Sequence, residues 1–152
     1  MAKERIKKQA ILPRINGIQS DVEKLRTLSE LSLEELSLED NFVKAQFYLR
    51  RALEGIFHIG THILSRVPGG RVTEYKAIAL RLGEFGIVPK SYAENQLKAM
   101  AGYRNRLTHF YADVTPVEIR EIIRNHVNDF DVFLRAIKEL LSDPGKFNLD
   151  LE

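Results

Sequence analysis

The chain has 152 residues, of which 44% are apolar and 29% charged, and its formal net charge is +2. This length predicts one domain with a substantial core, and the small positive charge argues against a protein that coats DNA. The absence of cysteine excludes disulfides, thiolate metal sites and cysteine nucleophiles, and no apolar run is long enough to cross a membrane, so we expect a cytoplasmic protein.

Two long helices are predicted in the first half of the chain. Apolar residues recur at intervals of four and three over residues 11–25, which is typical of an amphipathic helix. Pro13 weakens its start, so we expect a flexible arm up to about residue 12. A second helix is predicted over about 40–66, with serine and acidic residues ahead of it that could cap it, and the Pro-Gly-Gly sequence at 68–70 ends it.

Three further helices are predicted in the second half. A short one follows Thr73, a candidate N-cap, and Gly86 is placed to end it in a left-handed conformation. The next begins near Ser91, which forms a candidate capping box with the glutamate three residues later. The last begins at Thr115 and runs to about residue 141, after which we expect a flexible tail.

These elements together predict an all-α fold. The loops between the long helices are short, which favours antiparallel neighbours. We therefore expect an up-and-down four-helix bundle with one short additional helix, no strand, and a single domain over residues 1–152 with its core at about 12–141.

The segment 104–111, with the sequence RNRLTHFY, is the most informative part of the chain. Arg104 continues an apolar stripe formed by positions 93, 97, 100 and 107 of the same helix. A charge on a buried stripe costs several kcal/mol unless it has a partner, a ligand or a wet cleft. The sequence therefore predicts a polar destination for this guanidinium.

Arg104 and His109 supply the parts for metal-free cleavage of RNA. A histidine titrates near neutrality and fits a general acid/base, and an arginine fits a phosphate clamp. Five positions on a straight helix separate them by about 140°, so they converge only if the helix ends or bends, or across a two-fold axis. Arg106 is the rival clamp, and a helix-end arginine paired with a carboxylate beside a capping histidine is the alternative interpretation.

A second polar feature lies on the second helix, where Glu54, His58 and His62 follow one another at intervals of four and Arg51 flanks them. Three ligands on one straight helix would be spread over about 12 Å, too far for one ion, so we expect no metal site. A polar stripe facing a cleft or a subunit boundary is the preferred interpretation. His126 is expected to be a core or interface histidine.

The chain resembles a known family. Residues 104–111 match the R-x4-H-x-Y pattern of HepT-like toxins in the HEPN superfamily of helical ribonucleases. Similar segments precede it in the same order, at 51–56 with 61–64, 80–89 and 100–105, and the resemblance covers about residues 12–141.

This resemblance implies a HEPN-like bundle and a homodimer whose two motifs meet in a cleft. It implies RNA cleavage without metal or cofactor, and a type II/VII-like toxin–antitoxin pairing with an MNT-type nucleotidyltransferase that adds AMP to the toxin. By the same resemblance Arg104 is the phosphate clamp, His109 the acid/base, Asn105 its polar neighbour and Tyr111 the site of modification. The chain departs from the family at His58, where members often carry an acidic residue.

Two further functions remain open from the sequence. The first is a non-catalytic helical subunit that serves as docking platform and substrate for a nucleotidyltransferase. The second is a generic nucleotide-binding bundle, although the chain has no phosphate-cradling glycine loop. RNA cleavage that is lost on His109→Ala would distinguish the ribonuclease from the docking subunit, whereas the nucleotide-binding bundle predicts tight binding of free nucleotide by the isolated dimer.

Overall fold

The computed structural model describes residues 5–152, and most of them are helical. The helices are α1 (Lys8–Ser29), α2 (Leu33–Leu36), α3 (Glu39–Leu64), α4 (Tyr75–Glu84), α5 (Lys90–Tyr92), α6 (Lys98–His109), α7 (Pro116–Asn125) and α8 (Asp129–Ser142). A π-helical segment, Ala93–Leu97, joins α5 to α6, and 3₁₀ turns lie at Tyr111–Asp113 and Pro144–Phe147. The prediction of an all-α fold is confirmed.

Four helical units form the bundle, and α3 packs against most of the others. The units are α1, α3, α5 with α6, and α7 with α8, while α4 is the short additional helix. α1 and α3 run antiparallel, because Asp21 of α1 contacts Arg51 whereas the earlier Arg14 contacts the later His58. A Cβ atom on Gly55 would lie 2.8 Å from the side chain of Ile18, so the two helices approach closely there.

One hydrophobic cluster runs through the bundle and receives side chains from all eight helices. Its largest fully buried members are Phe57, Phe130 and Phe133. Burial of about 1.5–3 kcal/mol for each such side chain is the main favourable contribution to the fold. No helix within residues 5–152 is both long and apolar enough to cross a bilayer.

The last predicted helix is broken in two, which the sequence analysis missed. α7 ends at Asn125 and α8 begins at Asp129, with His126 closing α7 through its N–H to the carbonyl of Ile122. The hydroxyl of Tyr92, in α5, donates to the carbonyl of Asp129 at 2.6 Å and so connects the start of α8 to α5. An apolar period that continues across the break hides it from the sequence pattern.

The ends of the described chain form a two-stranded parallel ladder, contrary to the expectation of no strand. β1 (Arg5–Ile6) pairs with β2 (Asp150–Leu151), and the N–H of Glu152 donates to the carbonyl of Ile6 at 2.9 Å. Strands of two residues are too short to give an alternating pattern. α1 also begins at Lys8, so Pro13 lies within its second turn rather than ahead of it.

Two of the predicted helix boundaries are confirmed and two are wrong. Thr115 accepts a backbone N–H at the start of α7, and Gly86 has φ +70° where α4 ends. Ahead of α3, Ser32 forms a capping box, but on the short helix α2. Thr73 and Ser91 are not N-caps, because α4 and α5 begin after Glu74 and Pro89 with no side-chain hydrogen bond.

Candidate active site

The side chain of Arg104 contacts an aromatic ring rather than a carboxylate. Its guanidinium carbon lies 3.9 Å from the centroid of the Tyr75 ring, at the start of α4. Its Nε is buried without a hydrogen-bond partner, and Nη1 donates to the side-chain oxygen of Asn105 at 3.4 Å, a long contact. Within residues 5–152 Arg104 forms no ion pair, so its charge is positioned but not neutralised.

His109 is the last residue of α6 and its side chain is exposed. The N–H of Phe110 donates to the carbonyl of Arg106 and closes the helix. Because α6 is regular from Lys98 to His109, Arg104 and His109 leave it about 140° apart. Within one chain the two side chains therefore do not share a face.

Arg106 connects α6 to α7 and to the turn between them. Its guanidinium makes a two-point ion pair with Glu118 at the start of α7, through Nε and through Nη2 at 2.9 Å, and Nη2 also donates to the carbonyl of Asp113 at 3.2 Å. These hydrogen bonds hold the pKa of Glu118 below its ordinary value. Arg106, the rival clamp, thus already has a carboxylate, whereas Arg104 does not.

Tyr111 lies on the surface, two residues beyond His109. Its side chain is 66% exposed and belongs to the 3₁₀ turn Tyr111–Asp113. It borders a groove of about 470 Å³ between the first half of α3 and the end of α6. The groove is lined by Val43, Gln46, Phe47, Arg50, Leu107, Thr108 and Tyr111.

The polar stripe of α3 is divided between different contacts. Arg51 donates to both carboxylate oxygens of Asp21, at 2.9 and 2.6 Å, and this pair explains the single buried charge among the described residues, Asp21 at 1% exposure. Glu54 lies 3.8 Å from Arg50. Arg51, Glu54 and His58 do line a cleft, but it is a shallow one of about 180 Å³ against α1.

His58 is held neutral beside two arginines. Its Nδ1 lies 2.7 Å from Nη1 of Arg14, and since arginine only donates, Nδ1 must accept and the ring proton is on Nε2. Burial first, and then the charges of Arg14 and Arg104, lower the pKa of His58. The position that departs from the family pattern is thus a neutral hydrogen-bonding group within electrostatic reach of Arg104.

His62 forms a structural hydrogen bond and makes different contacts from the rest of the stripe. Its Nε2 accepts the backbone N–H of Lys7 at 3.1 Å, immediately before α1. Burial and the nearby charges of Arg66 and Lys7 lower its pKa to about 4. In the part of the chain that the structure describes, no group of three or more histidine, aspartate or glutamate side chains is arranged to hold a metal ion.

His126 is not a core residue. It closes α7, its ring is partly exposed, and it lies between Glu121 at 3.7 Å and Asp129 at 3.6 Å. Tyr103 is its aromatic neighbour, with ring centroids 6.1 Å apart. The helix break turns this histidine out of the apolar stripe in which the sequence placed it.

Sequence reasoning missed two residues at the site, one on α4 and one within the motif itself. Tyr75 reads as an ordinary member of the apolar stripe of α4, and only the fold shows that it faces Arg104. Thr108 lies one turn beyond Arg104, and its Oγ1 is buried without a hydrogen-bond partner. The spacing of four residues between Arg104 and Thr108 was the one available signal, because it places both on one face of α6.

Comparison with known proteins decides the family. The HepT-like ribonuclease family matches residues 18–137. The chain belongs to the HepT-like family. A curated relative, tRNA nuclease HepT of Aphanizomenon flos-aquae (strain 2012/KM1/D3), is 26% identical over 130 residues, which cover 84% of this chain and 87% of that protein.

Solved structures share the fold. A toxin–antitoxin crystal structure with AMP-PNP superimposes with a TM-score of 0.78 at 18% identity, covering 87% of this chain and 99% of that one. A tri-AMPylated Shewanella oneidensis HEPN toxin in complex with MNT antitoxin gives 0.75 at 19% identity, covering 86% and 97%. The HEPN-like bundle implied by the resemblance is thereby confirmed.

Proposed function

We propose that this HepT-like protein is an endoribonuclease toxin in which Arg104 and His109 cleave RNA in the cleft of a homodimer. The observation that carries the proposal is the guanidinium of Arg104, held against Tyr75 and not neutralised by any carboxylate within residues 5–152. A cation kept in this state is available to a phosphate. The curated relative named tRNA nuclease HepT supports RNA as the substrate.

The proposed chemistry needs only these two side chains. His109 removes the proton of a ribose 2′-hydroxyl, and the 2′-oxygen attacks the adjacent phosphorus while the bond to the 5′-oxygen breaks. Arg104 binds the phosphate oxygens and stabilises the charge that develops on them. The protonated His109 then gives its proton to the departing 5′-oxygen, so the products are a 2′,3′-cyclic phosphate and a 5′-hydroxyl and the step uses no metal or cofactor.

A two-fold axis supplies the convergence that one chain lacks. Arg104 and His109 leave α6 about 140° apart, so a second copy must bring its own motif to the same cleft. The apolar side chains Val43, Phe47 and Phe110 are exposed beside the motif and would be covered in such a dimer. The proposed assembly therefore buries the apolar surface around the active site.

We propose that the second partner is an MNT-type nucleotidyltransferase antitoxin that adds AMP to Tyr111. The solved HEPN toxin that is tri-AMPylated and in complex with MNT antitoxin supports this pairing. In this chain Tyr111 is the exposed phenol of the motif and borders the groove beside Thr108. We expect the pair to act in the cytoplasm, as a type II/VII-like system.

Induced expression in cells tests the proposal. We expect growth arrest with cleavage of tRNA or other RNA, and loss of both effects on Arg104→Ala and His109→Ala. The matched controls are Arg135→Ala, an exposed arginine of α8, and His126→Ala, which also lies at a helix end. A chain that binds the nucleotidyltransferase but leaves all RNA intact would instead be the non-catalytic docking subunit.

A further inference from the structure

The ring of Tyr75 is fixed on both sides. Its edge-to-face neighbour is Phe57 of α3, with ring centroids 5.2 Å apart and an interplanar angle of 89°. Phe57 is fully buried in the core. The guanidinium of Arg104 lies over the Tyr75 ring, 3.9 Å from its centroid. A chain of contacts therefore runs from the core through the ring to the arginine.

We propose that Tyr75 is a positioning residue for RNA cleavage, which holds the plane of the Arg104 guanidinium for the scissile phosphate. The inference rests on the proposed function, because it assigns Tyr75 a role in that reaction. Tyr75 acts through Arg104 and need not touch the substrate.

The polar contacts of Arg104 are too weak to fix its orientation. The Nε is buried with no partner, and the contact from Nη1 to Asn105 is 3.4 Å long. A guanidinium over an aromatic face is attracted by the ring quadrupole, and the attraction grows when water is excluded. Within residues 5–152 the cation–π contact with Tyr75 is the contact that can set the orientation of Arg104.

An aromatic ring also suits a phosphate clamp better than a carboxylate would. A carboxylate occupies the N–H donors and cancels the charge, as Glu118 does for Arg106 two residues away. A ring face fixes the plane of the guanidinium but leaves its outer N–H donors free. α6 therefore carries both arrangements. The outer N–H donors of Arg104 are available to an anion, whereas those of Arg106 are occupied by Glu118.

Substitutions at Tyr75 separate positioning from simple packing. Tyr75→Phe keeps the ring face, whereas Tyr75→Leu fills similar space without it, and Tyr75→Met is a second non-aromatic variant if Leu does not fold. We expect Tyr75→Phe to cleave RNA like the parent and the non-aromatic variants to lose about 3- to 30-fold in kcat. KM should change little, because the clamp acts mainly as charge develops on the phosphate.

The matched control is Tyr103→Leu, the same exchange on α6 itself. Tyr103 is also half-buried, but its ring lies beside His126 and away from Tyr75. We expect it to retain the parental kcat. If Tyr103→Leu loses as much kcat as Tyr75→Leu, or if Tyr75→Phe loses as much as Tyr75→Leu, the positioning role is contradicted.

A spectroscopic measurement tests the stack without any activity. The Nε–H signal of Arg104, assigned with Arg104→Lys, should be shifted by the ring current in the parent and in Tyr75→Phe, and should move to an ordinary position in Tyr75→Leu. A signal that does not change on Tyr75→Leu would overturn the inference. If the stack is present but the parent does not cleave RNA, the proposed function fails instead.

Discussion

Arg106 and Glu118 join the end of α6 to the start of α7 through a two-point ion pair. The same arginine donates to the carbonyl of Asp113, at the end of the turn that follows the motif. The segment that carries His109 and Tyr111 is therefore tied down on both sides. This pair stabilises the segment that carries the motif, and the proposed function does not assign it to the phosphate clamp.

Arg106→Ala should lower the melting temperature by a few degrees and weaken RNA cleavage less than Arg104→Ala does. The reason is that Arg106 already has an anion in Glu118, whereas Arg104 has none among the described residues. Thermal unfolding and cleavage rates of the two variants check this. An inactive Arg106→Ala beside an active Arg104→Ala would reverse the assignment.

The same ion pair makes stability depend on pH. Hydrogen bonds from Arg106 lower the pKa of Glu118 from its ordinary value of 4.5, so the folded state favours the ionised form. This contribution is present above that value and is lost as the pH falls through the lowered pKa. Urea unfolding should show parent and Glu118→Gln converging in stability as the pH is lowered. A difference that stays constant in acid would argue against the ion pair.

The lowered pKa of His62 predicts a second, separate dependence of stability on pH. Its pKa is lowered from 6.5 to about 4 in the folded protein, so the unfolded chain binds the additional proton between these values. Stability should therefore rise as the pH is raised through this window, and fall again as it is lowered, because a protonated ring cannot accept the N–H of Lys7. His62→Gln, whose amide oxygen can still accept, should flatten this part of the stability curve. If it leaves the curve unchanged, the hydrogen bond from Lys7 to His62 is not responsible.

The long helices were predictable because their apolar spacing is regular. The expected helix at about 40–66 is α3 (Glu39–Leu64), and Thr115 and Gly86 mark boundaries where a side-chain cap or a left-handed φ leaves a local signature. The break at 126–128 left no such signature. The start of α8 after the break is held by a tertiary contact, from the Tyr92 hydroxyl to the carbonyl of Asp129, which no local pattern contains.

The site was predictable only in part for the same reason. The position of Arg104 on an apolar stripe predicted a polar destination for its guanidinium, whereas the structure places it over the ring of Tyr75, 29 positions earlier in the chain and on another helix. The regular spacing of the polar residues on α3 suggested that they form one site. In the structure Arg51 instead pairs with Asp21, and His62 accepts the N–H of Lys7. Only the packing of α1 on α3 reveals these partners.

Phe47→Glu should convert the proposed homodimer to monomers. Phe47 is 42% exposed on the groove beside the motif, and a charge there would be buried without a partner in the dimer. Light scattering at micromolar concentration measures the mass directly. Leu12→Glu is the control, since Leu12 is equally exposed but lies on α1. A parent protein that is already monomeric would contradict the shared cleft.

Tyr111 should be the residue that receives AMP. Its exposed hydroxyl borders the groove, so an attached phosphate would place a negative charge and a bulky group beside the motif and repel RNA. Mass spectrometry after incubation with ATP, magnesium and the cognate nucleotidyltransferase should show AMP on the peptide that contains Tyr111. Tyr111→Phe should block this and resist neutralisation, whereas Tyr103→Phe should not. A Tyr111→Phe toxin that is silenced as readily as the parent would point to occlusion of the cleft.

The central claim is that Arg104 and His109 cleave RNA through its 2′-hydroxyl without metal. Purified protein should be incubated with RNA, and with DNA of the same sequence, in the presence of excess chelator, and the ends of the products identified. We expect cleavage of the RNA alone, ends bearing a 2′,3′-cyclic phosphate, and loss of the reaction in both Arg104→Ala and His109→Ala while helical content is retained. Cleavage that stops with chelator, products with other ends, or activity that survives in either variant would contradict it.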